Sequence, residues 1–154
     1  MKNILLLGLG GGSVIRTLRE DFHFRGDITA VEIDRVIIAI ANDEFGLVAD
    51  EQFSIIHADA SDYIRTTSEI YDLIIIDLFI DTVIPADVYT HDFWKHIRRI
   101  TEKNGYFLFN ASTSTRRDTV FLSLLDTIGR LFSLEQYEAV RGTNTLIIGK
   151  SMMK

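Results

Sequence analysis

The stretch Asn3 to Ser13, NILLLGLGGGS, limits the choice of fold more than any other part of the chain. Four apolar residues, Ile4 to Leu7, run into five residues of which four are glycine (Gly8, Gly10, Gly11 and Gly12), and a helical pattern follows. An unbroken apolar run suits a parallel strand covered on both faces. Glycine takes positive φ freely and carries no Cβ, so the turn can be tight and a ligand can approach its backbone. The stretch reads as a buried strand, a sharp turn and a helix whose first N–H groups face outward, which is a candidate nucleotide cradle.

A G-x-G-x-G turn alone says little, because any strand-to-helix crossover can use glycine. Its surroundings say more. A second strand, Asp27–Glu32 (DITAVE), ends in a carboxylate 24 residues after Gly8, where a pair of ribose hydroxyls needs an acceptor. Ser13 stands at the sixth position of the dinucleotide pattern in place of Gly or Ala, which argues against a nicotinamide cofactor.

Strands and helices then alternate. A helix is predicted over Val14–Glu20, and Asp34 is placed to cap a helix over Arg35–Phe45 with apolar spacing Val36, Ile37, Ala39, Ile40. Strand three is Phe53–Ile56, followed by a short helix at Ser61–Thr66 with Ser61 as its cap. Strand four is Tyr71–Asp77, YDLIIID, an unbroken run fit for burial on both faces, with Asp72 expected to be exposed where it begins. The loop Leu78–Asp87 holds the single proline, Pro85, and helix four covers His91–Thr101, its Phe93 and Trp94 read as core. Asn104-Gly105 turns into strand five, Tyr106–Asn110. A helix from Arg116 to Phe132 and strands Leu134–Val140 and Thr145–Lys150, joined at Gly142, complete the order. So short a link makes the last two strands antiparallel. The fold expected is α/β: a Rossmann-like, doubly wound, seven-stranded sheet, mostly parallel, with a C-terminal antiparallel hairpin.

In such sheets ligands sit beyond the C-terminal strand ends, where strand order reverses. The acids at those ends are Glu32, Asp59, Asp77 and Asp81. Asp59 reads equally as a ligand and as a cap of the helix behind it. Asp77 ends an apolar strand, where an unpartnered carboxylate is costly, so a functional role is favoured.

Composition removes several classes. With 154 residues, 47% of them hydrophobic, the chain has material for one domain with a sizeable core. The net charge is −6 and the 16 basic residues are scattered, which gives no nucleic-acid footprint. There is no cysteine, and the four histidines form no metal-like cluster. No segment approaches the roughly 18 apolar residues of a membrane span, and the apolar run after Met1-Lys2 is too short for a signal peptide. A cytoplasmic protein is expected.

With these residues in place the chain resembles class I S-adenosylmethionine-dependent methyltransferases, and more narrowly the spermidine synthase (polyamine aminopropyltransferase) family. The resemblance runs almost end to end through ILLLGLGGGSVIRTL, VEID, HADA, YDLIIID with its proline-containing loop, and NGYFLFN. It implies that Gly8, Gly10 and Gly12 form the loop beside the methionine part of the cofactor. Glu32 would accept from both ribose hydroxyls and Ile33 would pack on the adenine. Asp59 would bind the adenine amino group with the Ala60 N–H beside it, and Asp77 and Asp81 would serve the incoming nucleophile.

Three departures shape the functional expectation. The family carries an acid where this chain has Gly11. That acid suits the amine tail of decarboxylated S-adenosylmethionine, so its loss favours ordinary S-adenosylmethionine and methyl transfer. Asp77 and Asp81 are four apart, not three, and the proline comes only at Pro85. The family's N-terminal lid domain has no counterpart, so residues 1–154 are read as one S-adenosylmethionine-binding catalytic domain. The expectation is therefore a methyltransferase acting on a small molecule, such as an amine. The alternative is an aminopropyltransferase using decarboxylated S-adenosylmethionine, and the third reading is a non-catalytic nucleoside-binding module. No metal, nucleic acid or membrane is expected as a partner, and a homodimer is the assembly allowed for.

Overall fold

The structure is a computed structural model that describes residues 1–80, 83–112, 119–140 and 144–152. Its strands are β1 (Asn3–Leu7), β2 (Asp27–Glu32), β3 (Phe53–His57), β4 (Tyr71–Ile76), β5 (Thr101–Ser112), β6 (Phe132–Val140) and β7 (Asn144–Ser151). The helices are α1 (Ser13–Arg16), which runs on as a π-helical turn over Thr17–Asp21, α2 (Arg35–Phe45), α3 (Ala60–Thr66), α4 (His91–Ile100) and α5 (Thr119–Gly129). A 3₁₀ turn at Ala86–Tyr89 precedes α4.

The strands form one sheet in the order β3-β2-β1-β4-β5-β7-β6. β1 is parallel to β2 and β4, while β7 runs antiparallel between β5 and β6. This is the expected doubly wound sheet with its antiparallel end. Side chains along β1 and β4 alternate between two cores, as the two-residue strand period requires. Leu5, Leu7, Ile74 and Ile76 face α3, α4 and α5, while Ile4, Leu6 and Ile75 face α1 and α2. The larger core centres on Trp94, fully buried, whose ring lies 4.9 Å from Phe107 and 5.7 Å from both Phe93 and Phe109. Its indole Nε1 donates to the Val88 carbonyl at 2.8 Å, so the one polar atom of the ring is satisfied.

Several boundaries differ from those predicted. The cap of α3 is Asp59 instead of Ser61, and its Oδ1 accepts from the Ser61 and Asp62 N–H groups. β5 starts at Thr101, because Asn104-Gly105 is an irregularity inside the strand (Asn104 φ 63°) and not a turn before it. On α2 the inward stripe is Ile37, Ile38 and Ala41, whereas Val36 and Ile40 are exposed. Asp72 is half-buried and stitches β4 to β1 by accepting from the Lys2 and Asn3 N–H groups. Asp34 caps α2 as expected, accepting from the Val36 N–H at 2.7 Å. The predicted turn at Gly142 and the predicted helix start at Arg116 lie outside the described residues. Among the described residues, no helix is long and apolar enough to cross a membrane.

Candidate active site

Because β1 lies between β2 and β4, the crossovers leave it in opposite directions, and a crevice opens at the C-terminal ends of these strands. A cavity of about 660 Å³ occupies that position, within the range of small-molecule sites. Each wall is supplied by the residues that follow a strand: Gly8 and Gly10 after β1, Glu32 to Asp34 after β2, Ala58 to Ser61 after β3, and Asp77 to Ile80 after β4.

Of the residues predicted for the site, Gly8, Gly10, Glu32, Ile33, Asp59, Ala60 and Asp77 line this cavity together. Gly12 does not: a Cβ there would fall 1.7 Å from Leu47 Cδ1, so this glycine serves packing of the helix start. Asp81 lies outside the described residues. The two glycines that do line the cavity have different reasons to be glycine. Gly8 (φ +93°) passes so near β4 that a Cβ would sit 2.2 Å from the Asp77 carbonyl oxygen. Gly10 (φ +50°) has nothing within 4 Å of a Cβ position, so its missing side chain leaves open space.

Glu32 ties the turn together. One carboxylate oxygen accepts from the Leu9 N–H at 2.9 Å and the other from the Asp34 N–H at 3.0 Å. Each oxygen keeps a second lone pair, so the carboxylate can still accept two hydroxyl groups. Asp59 spends only Oδ1 on capping α3, which leaves Oδ2 as an acceptor beside Ala60. Capping and ligand binding, alternatives in the sequence, are thus compatible. The turn is also braced from outside. Arg16 donates to the Gly11 carbonyl at 3.1 Å while its guanidinium lies 5.3 Å from the centre of the Phe45 ring. A Cβ on Gly11 would meet Phe45 at 3.3 Å.

Three features were not found from the sequence. Asp87, in the 3₁₀ turn after Pro85, adds a carboxylate to the cavity wall. Asn110 of β5 donates through Nδ2 to Asp77 Oδ1 at 2.8 Å, and Asn144 of β7 donates to Asn110 Oδ1 at 2.9 Å. Five acidic residues, Glu32, Asp34, Asp59, Asp77 and Asp87, therefore line the cavity, and among the described residues its lining includes no Lys, Arg or His. Such a wall attracts a cation. Among the described residues no cluster of metal-binding side chains is present.

The donor set fits an adenosine-type sulfonium nucleoside: a carboxylate with free lone pairs for vicinal hydroxyls, an apolar Ile33, a spare Asp59 oxygen, and glycines beside open space. The polyamine aminopropyltransferase of Chromobacterium violaceum is 32% identical over 136 residues, covering 86% of this chain and 52% of that protein. The Neisseria meningitidis serogroup A enzyme of the same name is 31% identical, over 86% of this chain and 51% of its own length. The chain thus spans about half the length of these curated relatives. Among solved structures, human methyltransferase-like protein 13 in complex with SAH superposes with a TM-score of 0.87 at 24% identity, over 99% of this chain and 73% of that one. The spermidine synthase of Thermotoga maritima gives 0.74 at 20% identity, over 99% and 55%. These two likenesses establish the fold. The chain belongs to the family described as the spermine/spermidine synthase domain, whose family model matches residues 1–147.

Proposed function

We propose that the site transfers an aminopropyl group from decarboxylated S-adenosylmethionine to a small amine. The observation that carries this reading is the cavity wall of five acidic residues. A sulfonium nucleoside with an amine tail, and a cationic acceptor, both match that sign, whereas the carboxylate tail of ordinary S-adenosylmethionine meets no cationic side chain among the described lining residues. The names of the curated relatives support the same choice over methyl transfer, the main expectation from the sequence.

The sulfonium supplies the electrophile: the amine nitrogen forms a bond to the carbon next to S⁺, the C–S bond breaks, and its electron pair returns to sulfur to leave a neutral thioether. The protein contributes alignment and charge. Glu32 holds the sugar and, through its bond to the Leu9 N–H, keeps the glycine turn under it. Asp77 attracts the ammonium form of the acceptor and accepts its proton, so that the nitrogen lone pair is free to attack. Asp87 adds a second negative charge on the acceptor side of the cavity.

A specific observation favours a second reading, methyl transfer from S-adenosylmethionine: Gly11 stands where the resemblance calls for an acid. Its weight is reduced by its position, since Gly11 is absent from the cavity lining and its Cβ direction is taken by Phe45. The test is incubation of the protein with each nucleoside and a panel of diamines and polyamines, followed by mass spectrometry of the amines. Gain of an aminopropyl group supports the first reading. Gain of a methyl group overturns it for the second, and nucleoside binding without any product makes the chain a binding module.

A further inference from the structure

Asp77 is the end of a side-chain series that crosses three strands. It follows β4; Asn110 lies on β5, the parallel neighbour of β4; and Asn144 opens β7, the antiparallel neighbour of β5. Ser112 is the register partner of Asn144, so Asn110, two residues earlier, is its diagonal neighbour on the same face. The bonds, 2.8 Å and 2.9 Å, are of ordinary N–H···O length, and all three side chains are half-buried. Neither asparagine lines the cavity.

We propose that Asn110 and Asn144 are positioning residues that hold the Asp77 carboxylate aimed for the acceptor amine. An ionised carboxylate can only accept, so Asn110 must turn its NH₂ toward Asp77. That leaves Asn110 Oδ1 at the far end, where it can only accept, and Asn144 supplies the donor. While Asp77 is ionised the series has a single polarity. Asn110 takes one lone pair of Asp77 Oδ1, so Oδ2 is the oxygen with both lone pairs open to a substrate proton. Among the described residues, the other charged groups facing this cavity are Glu32 and Asp34 at the end of β2, Asp59 before α3 and Asp87 in the 3₁₀ turn. The catalytic value of this arrangement rests on the function proposed above; the polarity itself does not.

The polarity gives an unusual test. Asn144→Asp puts an acceptor where a donor stood, two strands from the cavity. With that new carboxylate ionised, the series can be satisfied only if the Asn110 amide turns end over end, presenting Oδ1 to Asp77, which must then carry a proton to donate. In the full chain labelled with ¹⁵N, the side-chain amide of Asn110 is followed by NMR as pH is lowered. The amide signal is expected to change as Asp77 protonates, and Asn144→Asp is expected to move that change to higher pH, with Asn144→Ala shifting it less. The same transition in all three proteins overturns the proposal. Should Asn144→Asp not fold, Asn144→Ala decides the matter through faster exchange of the Asn110 amide protons, and unaltered exchange overturns it. In the transferase assay, Asn110→Ala and Asn144→Ala are expected to lower kcat by about 10–100-fold. Nucleoside affinity is expected to stay within about 2-fold, since a merely structural role would weaken both together. A wild-type chain without turnover refutes the proposed reaction but leaves the NMR result to decide the relay.

Discussion

Gly8 and Gly10 sit two residues apart in the same turn, yet alanine at each should fail in a different way. For Gly8→Ala the cost has three parts. The φ of +93° imposes strain of about 1–2 kcal/mol on a residue with a Cβ. The new carbon would lie 2.2 Å from the Asp77 carbonyl oxygen, so the end of β4 must retreat by more than about 1 Å to reach ordinary contact. Overpacking of that kind costs about 1–3 kcal/mol. The retreat also loosens the Asp77 N–H bond to the Leu7 carbonyl, now 2.9 Å, worth about 1 kcal/mol net. The sum is about 3–6 kcal/mol, a large share of the stability of a typical domain. Gly10→Ala pays only the strain, about 1–2 kcal/mol, because nothing lies within 4 Å of its Cβ position. Its methyl group instead takes up open space next to the cavity and should weaken nucleoside binding by at least about 10-fold, or 1.4 kcal/mol. Urea denaturation of both variants, with calorimetric titration of Gly10→Ala by methylthioadenosine, separates the two effects. Equal stability of the two variants, or parental affinity in Gly10→Ala, would refute the reasoning.

Two further expectations concern the fold. Trp94→Ala should destabilise the chain by about 3–5 kcal/mol, because it empties the centre of the larger core and strands the Val88 carbonyl; a circular-dichroism melt that moved by only a degree or two would contradict this. The backbone N–H groups of Lys2, first, and Asn3 hold the Asp72 carboxyl below its usual 3.8. A carboxylate whose folded value is depressed contributes stability above its unfolded value and loses it as pH falls through the folded one. Unfolding free energy measured as pH drops below about 4 should therefore fall more steeply in the parent than in Asp72→Asn, and parallel curves would exclude the effect.

Much of the fold could be read from local pattern, because the signals that define it are short in range. The apolar run ending at Gly8, the acid closing DITAVE and the unbroken YDLIII each describe one strand and its exit, and strand exits are where the cavity lies. The misreadings arise where packing chooses between local options. Helix α2 offers two overlapping apolar sets: Ile38 and Ala41 pack into the core and Ile37 lines the cavity, while Val36 and Ile40 stay exposed. Asn104-Gly105 carries a turn signal that β5 absorbs as an irregularity, since pairing with β4 continues on both sides of it. Glu32 and Asp77 were found because each closes a strand. Asn110 and Asn144 were invisible as a pair because 34 residues separate them and only the β5–β7 pairing joins them. Gly12 packs on Leu47 and lies off the cavity wall, a difference from Gly8 and Gly10 that sequence does not display, because a glycine needed for packing and one facing a cavity look alike there.

The central claim is that a nucleoside lies across the glycine turn with its sugar held by Glu32, and one calorimetric cycle addresses it. Methylthioadenosine and its 2′-deoxy analogue are titrated into the parent and into Glu32→Ala. Loss of charge-assisted hydrogen bonds to the hydroxyls should weaken methylthioadenosine by about 30–100-fold in Glu32→Ala. The parent should discriminate against the deoxy analogue and Glu32→Ala should not, a comparison that also corrects for the loosened Leu9 and Asp34 contacts. If a folded Glu32→Ala binds methylthioadenosine as the parent does, or rejects the deoxy analogue just as strongly, the sugar is held elsewhere and the account is wrong.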